Sequence, residues 1–279
     1  MFIMKTIYYT VAIIKRRPAL LWLMAMAVFV YLIFARYNPV MPIILGLGKV
    51  TGGTVSESII SFLQISIDPE IFPYILAALL GLSIIGSVLL GIFISGYFNV
   101  LYNALIAEPR KKGEFYSGVR IYGGKIILAT FRVILFGLAL MIFMAISSIP
   151  AIVISKLASE GRTGFGTPSI LIGILTALTL YFLFMYFRVY ISYWYPAIIQ
   201  GAKKPFLTSR KLVNKHFWRF VFSFLLFDAI LVGVNFLLGK VPNATLVFIA
   251  KLIFYTFLIL LYVSYIFYTY EIFRKEYTK

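Results

Sequence analysis

The stretch IFPYILAALLGLSIIGSVLLGIFISGYFNVLYNALIA (71–107) runs for 37 residues without a charged side chain. As a single α-helix it measures about 55 Å at 1.5 Å per residue, against about 30 Å of bilayer hydrocarbon. It is therefore a membrane-crossing helix that must tilt, kink or continue beyond the membrane. No ordinary water-soluble domain hides so long an apolar rod.

The rest of the chain has the same character. A hydrophobic fraction of 62 % with 13 % charged residues departs far from the roughly 45–50 % and 25 % of soluble domains. Backbone polar groups cannot stay unpaired in lipid, so a crossing segment must be helical and supply about 20 apolar residues. The spans fall at about 18–36, 71–100, 128–155, 168–190, 217–238 and 243–270. The expected fold is all-α: a polytopic bundle of six transmembrane helices, with residues 1–279 forming a single integral membrane domain. Lys15, Arg16 and Arg17 precede the first run as they would in a secretory signal. That run is too long for a cleaved apolar core, and Ile33 is too large for a cut after Ala35, so it reads as a retained span.

Charge orients the bundle. Twenty Lys and Arg residues fall on the N-terminus, the 101–132 and 188–219 connections and the C-terminal tail, whereas Arg36, Lys49, Lys156, Arg162 and Lys240 fall on the other side. Four acids accompany each side, giving +16 against +1. The positive-inside rule then puts both termini in the cytoplasm. The same asymmetry accounts for the net charge of +17 without nucleic acid.

Between the spans, residues 2–16 and 205–215 interleave apolar and basic positions, as helices lying in the headgroup layer do. Pro205 suits a helix start. Tyr190, Tyr193, Trp194 and Tyr195 suit the headgroup level. The outer connection 37–69, with Gly46, Gly48, Gly52, Gly53 and the apolar stretch from Val55 to Ile67, reads as a loop with one surface helix, or as a lid or re-entrant turn. ALIAEPRKKGEF (104–115) and AIIQGAKKPF (197–206) echo each other, which points to a parallel repeat of two helical hairpins.

Few residues are out of place for a purely structural bundle. Asp228 lies midway through the fifth span, where a charge is costly. A hairpin turning near Lys240 puts Lys251 opposite, since 228 and 251 average to 239.5. The pair reads either as a permanent ionic lock or as a proton or cation site tuned by Lys251, with Asn235 as companion. Ser83, Ser87, Gly91 and Ser95 recur every four residues as a small-residue ridge, for close helix packing or as the smooth wall of a path. Pro150 after Ser147 and Ser148 is a kink candidate. Arg110, Lys111, Lys112, Lys203, Lys204, Arg210, Lys211, Lys215 and Arg219 form the expected cytoplasmic contact surface, for anionic lipid or a protein partner.

No catalytic constellation appears. With no cysteine and only His216, which sits at the cytoplasmic interface, the chain has almost no metal ligands, and no cofactor is expected. P-loop, HExxH and GxSxG motifs are absent. The Asn-Ala-Thr at 243–245 opens the sixth span and carries no weight as a glycosylation site.

The stretch YPAIIQGAKKPFLTSRKLVNKHFWRFVFSFLL (195–226) resembles a group of six-helix bacterial membrane proteins: the YciC-like proteins and the membrane domain attached to some glycerophosphodiester phosphodiesterases. The likeness covers about 35 residues. Ser209 and Trp218 fit the pattern, while Phe206 stands where an alanine is usual. It implies a six-helix fold in a bacterial or archaeal cytoplasmic membrane and transfers no catalytic residue, since the phosphodiesterase barrel is not in this sequence. The expected function is non-enzymatic: a permease-like or accessory subunit docking a cytoplasmic partner. The alternatives are half of an ATP-driven exporter, whose partner is a cytoplasmic ATPase, and a lipid-binding or lipid-organising protein.

Overall fold

The computed structural model describes residues 2–37, 68–159, 164 and 166–277. The expectations for Gly46, Gly48, Lys49, Gly52, Gly53, the stretch from Val55 to Ile67 and Arg162 lie outside the described residues. Among the described residues the structure is helical, without strands. The helices are α1 (Phe2–Arg16), α2 (Ala19–Arg36), α3 (Phe72–Leu105), α4 (Glu114–Ser159), α5 (Gly166–Ser192), α6 (Trp194–Ile199), α7 (Pro205–Leu238) and α8 (Ala244–Tyr277). Six helical runs are long and apolar enough to cross a membrane: α2, α3, α4, α5 continued by α6, α7 and α8. Each covers one of the spans expected from the sequence to within one residue. The protein is a polytopic membrane protein.

Local chemistry explains the boundaries. Pro205 occupies the first turn of α7, where its missing N–H costs nothing. The Asn243 Oδ1 accepts the backbone N–H groups of Thr245 and Leu246, both at 3.0 Å, so the asparagine of the Asn-Ala-Thr triplet caps α8. The two basic connections start alike. After α3, Ala107 takes a left-handed φ of 60° while the N–H groups of Ala107 and Glu108 donate to Ala104 and Asn103 carbonyls. After α6, Gly201 has φ 70° and the N–H groups of Gly201 and Ala202 donate to Ile198 and Ala197. Both are the same cap, closing orphan carbonyls at a helix end.

Three expectations need adjusting. The surface helix 205–215 is not separate: it runs into the fifth span as one helix, broken only at His216 (φ −121°, ψ 21°). Tyr193 and Trp194 do not sit free at headgroup level. Both are buried at the α5–α6 break, with the Tyr193 ring 4.3 Å from Phe220 and its hydroxyl 3.0 Å from that of Thr269. The His216 ring, expected only to sit at the cytoplasmic interface, stacks on Phe273 at 4.1 Å. Pro150 lies within α4, and nearby the Ser148 hydroxyl donates to the Ala145 carbonyl at 2.7 Å.

The chain packs as two compact units, and α3, α4 and α5 each contribute to both. The larger comprises residues 1–36, 88–130 and 185–279. Within it α8 packs against α1, α2, α6 and α7. Its basic end is held by a clamp. The buried Arg17 guanidinium grips Glu114 with two parallel bonds of 2.9 and 2.8 Å and donates a third, of 3.1 Å, to the Glu108 carbonyl. Arg16 reaches the Ala104 carbonyl at 2.9 Å. The Asn99 amide donates to the Glu114 carbonyl at 2.8 Å. These bonds tie the α1–α2 junction to the α3–α4 connection. Hydrogen bonding to Arg17 holds the Glu114 carboxyl below its usual range, against a burial effect that raises it.

Helices α3 and α4 meet closely in this unit. A Cβ added to Gly91 would lie 2.5 Å from Ile127 Cγ1 and 2.9 Å from its Cα, and one added to Gly118 would lie 2.5 Å from Asn99 Cβ. Backbones approach this closely in lipid only where side chains are small. The smaller unit, residues 37–87 and 131–184, buries Ser83 and Ser87 while exposing Phe136, Ile142, Leu171 and Leu175. Apolar exposure on this scale is what a lipid-facing surface requires.

Two outcomes follow for stability. Glu114→Ala, which leaves the Arg17 charge buried alone, lowers stability by about 3–5 kcal/mol in thermal unfolding of the purified protein. Because the folded pKa of Glu114 is depressed, the pair's contribution is fully present above the ordinary glutamate value. It fades as pH falls below about 4 through the depressed value, and the gap between wild type and variant closes there. Gly91→Leu lowers the melting temperature. Gly124→Ala, where no atom lies within 4 Å of the added Cβ, leaves it unchanged or raises it.

Candidate functional site: a charged cavity within the spans

Arg188 lies near the end of α5, 22 residues after its start at Gly166. Asp228 lies ten residues before the end of α7 at Leu238, about 15 Å along the axis. Both belong to the larger unit, and Arg188 Nη1 donates to Asp228 Oδ1 at 2.5 Å. The guanidinium also donates through Nε to the Tyr262 hydroxyl at 3.1 Å, and that hydroxyl lies 3.1 Å from Ser192 Oγ. The Phe224 and Tyr262 ring centroids lie 5.0 and 4.9 Å from the guanidinium carbon, within cation–π reach. One arginine thus draws α5, α7 and α8 together through a carboxylate, a phenol and two ring faces.

The pair is not sealed. It lines a cavity of about 340 Å³ with Tyr31, Phe227, Leu231, Tyr255, Leu258, Ile259 and Tyr262. That volume lies in the range of small-ligand sites, and an apolar wall with a few convergent polar groups is their usual form. Asn235, just beyond the lining, accepts the Tyr255 hydroxyl through Oδ1 at 2.6 Å. A single charge at helix centre costs about 2.5–3.5 kcal/mol on insertion scales, so the spans carry two expensive residues that each need the other.

Here the structure corrects the expected pair. Asp228 is bonded to Arg188 and not to Lys251, which instead lines a separate cavity with Arg36 and Phe248. Register is the reason. The contacts Asn235–Tyr255, Phe227–Tyr262 and Ser223–Tyr265 centre near residue 244, not 239.5. Tyr262 therefore comes level with Asp228. Arg188, counted with the 188–219 connection although the expected fourth span reaches residue 190, lies inside the apolar run that continues to Ile199. Asn235 is the companion of Tyr255.

The other sequence candidates fall as follows. Arg110, Lys111, Lys112, Lys203, Lys204, Arg210, Lys211, Lys215 and Arg219 are all exposed. On the ridge, Ser83, Ser87, Gly91 and Ser95 are buried. The hydroxyls of Ser83, Ser87 and Ser95 donate to the carbonyls of Leu79, Ile84 and Ile92 on their own helix, so these groups are spent locally. At the His216 break, Tyr186, Tyr190, Asn214, Lys215, Phe217, Trp218 and Arg219 line a groove of about 480 Å³ with the histidine. Sequence reasoning missed the roles of Arg17, Glu114, Arg188 and Tyr262.

No family model, curated protein or solved structure matches the chain.

A double-mutant cycle tests the pairing. Arg188→Ala and Asp228→Ala each lower the melting temperature strongly, and the double variant recovers much of the loss because no lone charge is left in the spans. The effects of Lys251→Ala and Asp228→Ala simply add.

Proposed function

We propose that this is a non-enzymatic, permease-like or accessory membrane protein whose Arg188–Asp228 cavity receives a polar, charged ligand from water, while its basic connections engage a cytoplasmic partner. The observation that carries the reading is the ion pair on a cavity wall. A purely structural pair is best shielded on all sides, whereas this one presents both signs of charge to a space of ligand size. A ligand that carries both a carboxylate and an ammonium group exchanges with both members of the pair and leaves no charge unanswered.

In this reading both termini are cytoplasmic. The clamp joins α1, the start of α2 and the first basic connection, and Tyr268 near the end of α8 stacks on Tyr9. The cationic segments of the larger unit thus gather at one end, which supports the orientation given by charge. The shared cap geometry of the two connections supports a parallel repeat of two helical hairpins. Membership of the six-helix group that residues 195–226 resemble, and residence in a bacterial or archaeal cytoplasmic membrane, belong to the same proposal. If the partner is an ATPase, the chain is the membrane half of an exporter. A second reading, a lipid-organising protein, is favoured by the groove at His216, where Lys215 and Arg219 accompany Tyr190 and Trp218.

Gentle isolation from native membranes separates these. The docking reading predicts a protein partner in fixed ratio, lost when Lys203, Lys204, Arg210 and Lys211 are changed to Glu while the melting temperature holds. Recovery of anionic lipid without any protein partner, lost on the same changes, puts the lipid reading in its place.

A further inference from the structure

A second cavity, of about 490 Å³, lies where α2 and α7 end and α8 begins. On α8 it is lined by Ala244, Val247, Phe248 and Lys251, one face by helical spacing. On α2 its wall includes Leu32, Ala35 and Arg36, again one face. Two cations thus reach one apolar-walled space. Among the described residues no acid lines it, and residues 1–36 and 229–270 contain neither Asp nor Glu. The nearest acid along α7, Asp228, is engaged by Arg188.

The helix ends offset only part of this charge. Two C-termini contribute about −0.5 each and one N-terminus about +0.5. Against two full positive charges, about +1.5 remains. Lys251 also stands seven residues inside α8, about 10 Å along its axis, deeper than a lysine placed only to meet water. A cation at that depth needs an anion that brings its own apolar body.

We propose that this cavity binds the phosphate of an anionic phospholipid, with Lys251 and Arg36 on the headgroup and the Leu32, Ala35, Val247 and Phe248 surfaces against the glycerol and upper acyl chains. With the proposed orientation the lipid comes from the outer leaflet; the binding chemistry does not depend on that orientation. The site is separate from the cytoplasmic basic surface and from the Arg188–Asp228 cavity.

The experiment uses the full chain, stripped of lipid in a neutral detergent and given phosphatidylglycerol, phosphatidylcholine or inorganic phosphate. Bound lipids are counted by native mass spectrometry, and the melting temperature is followed in parallel. Lys251→Gln combined with Arg36→Gln is expected to carry one phosphatidylglycerol fewer than wild type and to lose part of its lipid-induced thermal shift. Lys251→Arg keeps both. Phosphatidylcholine binding is the same in all three, and inorganic phosphate shifts none of them. Equal phosphatidylglycerol counts in wild type and the double variant overturn the proposal. So does loss of the lipid in Lys251→Arg, which makes the site one of shape, or an equal shift from inorganic phosphate, which makes the apolar wall irrelevant. Melting without lipid shows that the variants are folded.

Discussion

A charge carried into hydrocarbon has to be answered within the reach of its own side chain, and this constraint organises the middle of the protein. Arg188 and Asp228 answer each other across α5 and α7. The pair leaves the two helices little freedom to slide: a shift of one turn, about 5.4 Å, would part it. Tyr262 extends the constraint to α8, because its hydroxyl and its ring both serve the same guanidinium. The aromatic layer of Phe224, Phe227 and Tyr265 then packs around a register that the polar contacts have fixed. Dispersion between apolar faces alone specifies register weakly in lipid, where every face is equally apolar.

The basic end obeys the same rule in a wetter setting. Arg17 and Glu114 are each almost fully buried and paired through both carboxylate oxygens, and the Ala104 and Glu108 carbonyls, at the end of α3 and in the connection after it, accept from Arg16 and Arg17. Charge in this protein is therefore of two kinds. Most of it is an exposed cationic surface that gives orientation and partner contact, and a small remainder is buried to hold helices together. The second kind consumes scarce acids, of which the chain has nine against 26 basic residues.

The helices were legible because lipid imposes a strict requirement. Each span needs a long apolar run, and all six runs stand out, with α3 ending at Leu105 within two residues of the uncharged stretch. The charged cavity was only half legible. Asp228 stands out by position, but a symmetric hairpin puts Lys251 opposite it, and the real offset between α7 and α8 passes over Lys251. The signal for Arg188 was present: apolar sequence continues past it as far as Ile199, so it is not the end of a span. Position relative to the last acid-free run would have placed it inside. The clamp was illegible for a different reason. Arg17 and Glu114 are 97 positions apart, and nothing local distinguishes them from their solvated neighbours Lys15 and Lys111.

Reactivity of single introduced cysteines tests the central claim most directly, since the chain has none of its own. Leu231 lines the Arg188–Asp228 cavity, whereas Phe236 on the same helix is 65 % exposed and in this account faces lipid. A small membrane-impermeant thiol reagent should modify Leu231→Cys from one side of the membrane and leave Phe236→Cys unmodified. If Leu231→Cys is as inert as Phe236→Cys, water does not reach the ion pair and the cavity is not a ligand site.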